Sequence, residues 1–256
     1  MPMDISLLAD LPDRDLAREG ICVGEGRLAV ERMLASGLTP LALASVPGMA
    51  DGLEAPHGAE LPLQVMPQPE IGRIAGFPFH RGLLGAFQRP PRKGIAALEF
   101  TSCSRLALLD GVTDPVNVGG IIRSAAAFGL DGVVLGPRCG DPYTRRSIPS
   151  SMAACFALPL AFIERIPAAA EMLRARGLCI RGADLGQSAV PADQIAAAEG
   201  IALILGNEGH GISPAWRDYC DGYVRIDIRP EVDSLNVGVA AGILFYQLAR
   251  AENPMV

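Results

Sequence analysis

At 256 residues, 50% of them hydrophobic and 20% charged, the chain has the length for one large core or two modest ones, and its composition excludes intrinsic disorder. The longest uncharged apolar run, residues 237–247, falls short of the ~20 residues that span a bilayer, and residues 1–15 carry four Asp and one Arg instead of a cationic leader, so a cytoplasmic protein without membrane contact is expected. Six cysteines with no CxxC pair and three scattered histidines exclude a disulfide framework and a zinc cluster, so no metal is expected, and a net charge of −6 excludes a uniformly basic surface.

In chain order, Ile21-Cys22-Val23 reads as a short strand, and residues 26–34 as an amphipathic helix closing at Gly37. Residues 41–46 return as a strand. The Gly- and Pro-rich stretch 47–69 is expected to be loop. Gln88-Arg89-Pro90-Pro91-Arg92-Lys93-Gly94 then breaks the pattern, because adjacent prolines and like charges disfavour helix and strand alike. It is taken as the linker between a small α/β domain over 1–93 and a larger domain over 94–256.

The second piece alternates strands and helices, the pattern of a parallel sheet covered on both faces. Apolar runs of strand length fall at 106–109, 132–135, 178–180, 201–205 and 223–228. Helical patterns fall at 118–128, 168–176, 214–219 and 237–250. Gly129 stops the first of these helices, and Ser213-Pro214 supplies an N-cap and N1 proline for the third.

Three polar, glycine-rich segments each follow an apolar strand, where open α/β sheets bind ligands. They are Asp110 to Arg123, Leu205 to Ser213, and Ile226 to Asn236. None matches GxGxxG or a P-loop, so a dinucleotide-dependent oxidoreductase lacks its signature. Glycines after Leu205 let backbone groups approach a flat ligand closely. Asn117 and Asn236 are equally suited to cap the helices they open. All basic residues but Lys93 are arginines, clustered in part at Arg89, Arg92 and Lys93 and at Arg138, Arg145 and Arg146. These clusters are the places for a local basic face.

Together the three segments resemble the SpoU/TrmH family of the SPOUT class. A DPxNxGxIxRxAxxFG string is matched from Asp114 through Asn117, Gly119, Ile121, Arg123, Ala125, Phe128 and Gly129. A GNExxG string is matched by Gly206, Asn207, Glu208 and Gly211, and an SLNV string by Ser234, Leu235, Asn236 and Val237. Order and spacing agree over residues 106–250. Glu25-Gly26-Arg27 and Phe79-His80-Arg81-Gly82 are similar to the RNA-binding domain, akin to ribosomal protein L30e, that precedes the catalytic domain in many members.

The resemblance implies a parallel-sheet SPOUT methyltransferase domain with a C-terminal deep trefoil knot, preceded by a small α/β L30e-like domain. It implies a homodimer that transfers a methyl group from S-adenosyl-L-methionine to a ribose 2′-hydroxyl of structured RNA, rRNA favoured over tRNA, and so a role in rRNA processing. The cofactor-binding residues it implies are Leu205, Gly206, Asn207, Gly211, Ile226, Ile228 and Leu235. The catalytic residues are Asn117, Arg123, Glu208, Ser234 and Asn236. Guanidinium loses its proton only above about pH 12, so Arg123 is assigned electrostatic stabilisation in preference to the general-base role the family often gives it. His210, at a variable position, is incidental, and His80 and Arg81 are suited equally to RNA and to their own loop. Two departures stand out: Ile226-Asp227-Ile228 where members have Ile-Pro-Met, and Gly238 where they have a second Ser. The competing readings are a non-catalytic RNA- or ribosome-binding protein that keeps the fold, expected to lose Arg123 or the SLN triplet, and methylation of a base nitrogen. The Asn117/Arg123 pairing favours ribose.

Overall fold

The computed structural model describes residues 4–9, 11–186, 188–195 and 200–252. Two compact units emerge, Met1–Pro91 with Pro142–Ala157, and Arg92–Asp141 with Leu158–Val256. The first unit begins with a 3-10 turn at Ile5–Leu8 that Asp4 caps, its carboxylate accepting from the Ser6 N–H at 3.0 Å. Helix α1 (Asp13–Arg18), strand β1 (Ile21–Glu25), helix α2 (Arg27–Ala35) and strand β2 (Pro40–Ser45) follow, then β3 (Leu63–Val65), α3 (Gln68–Ala75) and β4 (Leu83–Gln88). The sheet order is β1-β4-β2-β3, with β4 antiparallel to both neighbours and β3 parallel to β2. Leu8, Val23, Ala44, Ile71 and Leu84 meet in one apolar cluster. Strand β3 corrects the expectation of loop throughout 47–69. Its three residues lie between Pro62 and Pro67, too short for an alternating pattern to register, and β2 supplies the pairing.

The second unit opens with β5 (Arg105–Asp110), α4 (Pro115–Ala127) and β6 (Gly132–Leu135). After Asp141 the chain makes an excursion through the short helix α5 (Ser147–Ser150), and these residues belong with the first unit. Arg145 shows why. Its guanidinium lies 3.6 Å from the Glu25 carboxylate and donates to the Ala9 carbonyl at 2.9 Å, while its own N–H donates to Asp13 at 3.0 Å. Tyr143 stacks on Phe156 at 5.4 Å, with the Arg89 guanidinium 5.0 Å from its ring. A single cut near residue 93 therefore misplaces Pro142–Ala157. Arg145, expected in a basic surface cluster, is instead a largely buried partner of Glu25.

The chain returns as β7 (Leu160–Phe162), α6 (Ile166–Ala175), β8 (Cys179–Ala183), β9 (Val190–Pro191), β10 (Ile201–Gly206), α7 (Pro214–Arg217), β11 (Gly222–Arg225) and α8 (Val237–Glu252). All strand pairs of the sheet β7-β6-β5-β10-β8-β11-β9 are parallel, so every strand ends on the same edge. Leu106, Leu108, Ile180, Ile204 and fully buried Trp216 form the heart of its core, each large side chain contributing about 1.5–3 kcal/mol by burial. The expected strand 223–228 stops at Arg225, where both neighbours leave the ladder: β8 ends at Ala183, and β9 passes into a 3-10 turn at Ala192–Gln194. Ile226 to Ile228 are thereby released from the sheet. The same edge is where the three motif segments lie.

Candidate active site

Strand β10 ends in a loop that only glycine permits. A Cβ on Gly206 would stand 2.3 Å from the carbonyl carbon of Gly211 and 2.5 Å from the Ile212 nitrogen. The Asn207 N–H donates to the Gly211 carbonyl at 3.1 Å, and the Gly211 N–H returns to the Asn207 carbonyl at 2.8 Å. The Asn207 side chain accepts from the N–H groups of Gly209 at 2.8 Å and His210 at 3.2 Å, while its amide donates to the Gly111 carbonyl at 2.9 Å. Asn207 is thus a loop builder that ties the second segment to the first. Beside it, the buried Asp110 carboxylate accepts from the Ser213 N–H at 2.6 Å and sets the start of α7.

The third segment completes a cavity of about 300 Å³. Leu205, Gly206, Asn207, Gly211, Ile226, Ile228 and Leu235 all line it, as do Glu208 and Ser234. The peptide groups of Ile226, Ile228 and Leu235 make no backbone hydrogen bond to a described residue, so they remain available to a ligand. Apolar walls with unclaimed main-chain donors and acceptors suit a flat heterocycle with a polar edge. The Asp227 carboxylate takes the Arg225 guanidinium at 2.8 Å, which accounts for the charge that replaces the family's proline.

Residues that the sequence reading passed over also line the cavity. Asp184 and Arg217 form an ion pair there at 2.8 Å, and Leu185, Val237 and Leu244 add apolar wall. Burial works against the Arg217 charge and Asp184 works for it, and the balance raises its pKa. Asp184 directly follows β8, so its place at the end of a parallel strand was the available signal.

Asn117, Arg123 and Asn236 do not line the cavity. Helix α4 is capped by Asp114, which accepts from the Val116 N–H at 3.2 Å, so Asn117 is not the cap. Its side-chain amide instead donates to the Glu208 carboxylate and accepts from the Asn236 amide at 3.0 Å. Asn236 does both jobs, since its oxygen also accepts from the N–H groups of Gly238 at 2.9 Å and Val239 at 3.3 Å, capping α8. A Cβ at Gly238 would lie 3.2 Å from that oxygen, so the family's serine would crowd this cap. Arg123 lies six residues beyond Asn117 on α4, about 9 Å along the axis. It is exposed and makes neither an ion pair nor a side-chain hydrogen bond to a described residue. His210 does not line this cavity. His80 lines one in the first unit, beside Phe79.

Among the described residues no group of three or more His, Cys, Asp or Glu is placed to hold a metal ion, and no helix is long and apolar enough to cross a membrane. The SpoU rRNA Methylase family model matches residues 104–246, a span that takes in all three motif segments. An uncharacterised tRNA/rRNA methyltransferase of Mycobacterium tuberculosis is 33% identical over 252 residues, covering 97% of this chain and 87% of that protein. The 23S rRNA (guanosine(2553)-2′-O)-methyltransferase RlmP of Bacillus subtilis is 35% identical over 150 residues, 59% of this chain and 60% of that one. The SpoU methyltransferase AviRb of Streptomyces viridochromogenes, solved in complex with AdoMet, shares the fold with a TM-score of 0.82 at 22% identity, covering 97% of this chain and 96% of that one. The chain belongs to the SpoU rRNA methylase (SpoU/TrmH) family of RNA methyltransferases.

Proposed function

We propose that the protein methylates a ribose 2′-hydroxyl of structured RNA, ribosomal RNA before transfer RNA, with S-adenosyl-L-methionine as donor. The observation that carries this is the hydrogen-bonded set Asn236–Asn117–Glu208, which joins all three motif segments beside the cavity. The named activity of the Bacillus relative and the AdoMet complex of AviRb support the same reading. When bound, the cofactor supplies a methyl group on a sulfonium, already a good leaving group. The cavity walls Leu205, Ile226, Ile228 and Leu235 would hold its adenine, and Glu208 and Ser234, which line the same cavity, would face its polar part. Arg123 places a permanent positive charge near the reacting oxygen and the adjoining phosphate, where it lowers the cost of the developing oxyanion. The family's knotted C-terminal segment belongs to this proposal, as does an L30e-like, RNA-holding role for the first unit. The test is mass spectrometry of ribose-methylated nucleosides in RNA from cells with and without the gene. Loss of one 2′-O-methyl nucleoside, restored by complementation, is expected; an unchanged spectrum counts against the reading, as does calorimetry without cofactor binding.

The active form in this proposal is a homodimer. Val116 on α4 and Val239 and Tyr246 on α8 are exposed large hydrophobics of the second unit, on two helices that pack together, with the Phe128 and Tyr246 rings 5.8 Å apart. An apolar surface of this kind calls for a cover. Sedimentation at micromolar concentration should give a dimer, and Val239→Asp with Tyr246→Lys should give a folded monomer. A monomeric wild type would end the dimer assignment.

A further inference from the structure

A second cavity of the second unit, about 330 Å³, lies at the ends of β6 and β7. Arg92, Lys93 and Arg138 line it, with Phe162 and Glu164. The Arg92 guanidinium contacts Asp141 at 3.3 Å and lies 5.0 Å from the Phe162 ring centre, so it is held in place with part of its charge answered. Lys93 and Arg138 are exposed and make no ion pair or side-chain hydrogen bond to a described residue. Two free cations thus face one free carboxylate, on a chain whose net charge is −6. The placement is built. The Lys93 carbonyl accepts from the Phe162 N–H at 2.8 Å, pinning the linker end to the sheet.

Arg138 adds a second argument. Its φ of +63° is a left-handed conformation that costs a non-glycine residue roughly 1–2 kcal/mol. The flanking glycines fix it: a Cβ on Gly136 would stand 2.6 Å from the Leu109 carbonyl oxygen, and one on Gly140 would stand 2.6 Å from that of Thr113. The Gly140 N–H donates to Val112 at 2.8 Å. The loop bearing Arg138 is therefore bonded to the loop after β5, whose Asp114 caps the helix that carries Asn117 and Arg123. β5 and β6 separate β10 from β7, so at about 4.8 Å per strand the cleft lies ~10–15 Å along the same sheet edge from the end of β10.

We propose that this cleft is a phosphate-binding subsite, in which Lys93 and Arg138, with Arg92 behind them, grip the RNA backbone a few nucleotides from the ribose being methylated. The inference rests on the ribose reading above and gives an acidic protein its local basic contact. Phosphate contacts are largely independent of sequence, so polyuridylate serves as the probe. Arg138→Gly removes the charge and relieves the backbone, and Lys93→Ala leaves the pinning carbonyl in place, so the double variant should keep its melting temperature. Filter binding across salt should show wild type losing affinity linearly in log salt. The double variant should bind about tenfold or more weakly at low salt, its slope shallower by about 1.4, or 0.7 per phosphate contact. Glu164→Gln should bind more tightly than wild type. Calorimetry with S-adenosylmethionine on the same samples should give unchanged cofactor affinity. Equal polyuridylate affinity and slope in wild type and double variant would overturn the cleft while sparing the cofactor site. A wild type that binds no cofactor takes down the ribose reading and this inference together.

Discussion

Replacing Arg123 by alanine is expected to lower single-turnover methyl transfer by about 10²–10³, roughly 3–4 kcal/mol, the typical cost of one preorganised electrostatic contact. Cofactor affinity should be unchanged, because Arg123 does not line the cavity. Melting temperature should hold as well, since the side chain is exposed and bonded to no described residue. That combination is unusual for an arginine one would otherwise read as a solvated charge, and it isolates the chemical step. Arg123→Lys separates two roles. Lysine keeps the charge but loses the planar fork that reaches a ribose oxygen and a phosphate together. Its intrinsic pKa is about 10.4 against more than 12, so a proton-acceptor role would tolerate it better. The lysine variant should remain strongly impaired across pH at saturating cofactor. A stable alanine variant with near-normal rate would remove Arg123 from the mechanism and, with it, the main ground for ribose over base.

Gly206→Ala should abolish most cofactor binding. The added methyl runs into the Gly211–Ile212 peptide group, at 2.3 and 2.5 Å from the Gly211 carbonyl carbon and oxygen and 2.5 Å from the Ile212 nitrogen, and none of these three contacts is a flexible side chain that could yield. Overpacking of this kind costs about 1–3 kcal/mol. Relief requires opening the loop, which breaks the paired Asn207–Gly211 hydrogen bonds, each worth about 1 kcal/mol. The loop is the cavity wall, so a 2 kcal/mol penalty read out there is about 30-fold in affinity. Gly209→Ala is the control: its Cβ meets only the Asn207 side-chain oxygen at 3.4 Å, and its φ is not left-handed. Calorimetry should separate the two variants clearly. Wild-type affinity in Gly206→Ala would mean the loop is not the wall of a binding site.

Much of the second unit was legible because its strands are apolar runs with clear punctuation. β5, β6 and β10 fall where the sequence placed them, and α4 and α8 differ by only a few residues at their ends. Three strands that the sequence pattern does not show share one cause. β7, β9 and β3 have three, two and three residues, too few for periodicity to speak, and each exists because a neighbour offers pairing. Arg145 is invisible as a core residue for the same reason, since Glu25 is its partner across more than a hundred positions. The motifs single out Leu205, Ile226, Ile228 and Leu235, which the structure places around one cavity, but not the division of labour beside it. Which asparagine caps a helix and which one bridges to Glu208 depends on geometry that no string of letters records.

The excursion of Pro142–Ala157 has a bearing on how this protein is inherited and handled. Because the chain crosses between units three times, neither unit is a cassette. Severing the proline-rich linker leaves two covalent ties intact, and a gene fragment starting at residue 94 still carries sixteen residues whose apolar faces, Tyr143 and Ile148 among them, belong in a core it no longer encodes. Recombination between relatives that exchanged only the front segment would have to match that embedded piece as well, which ties the history of the two units together.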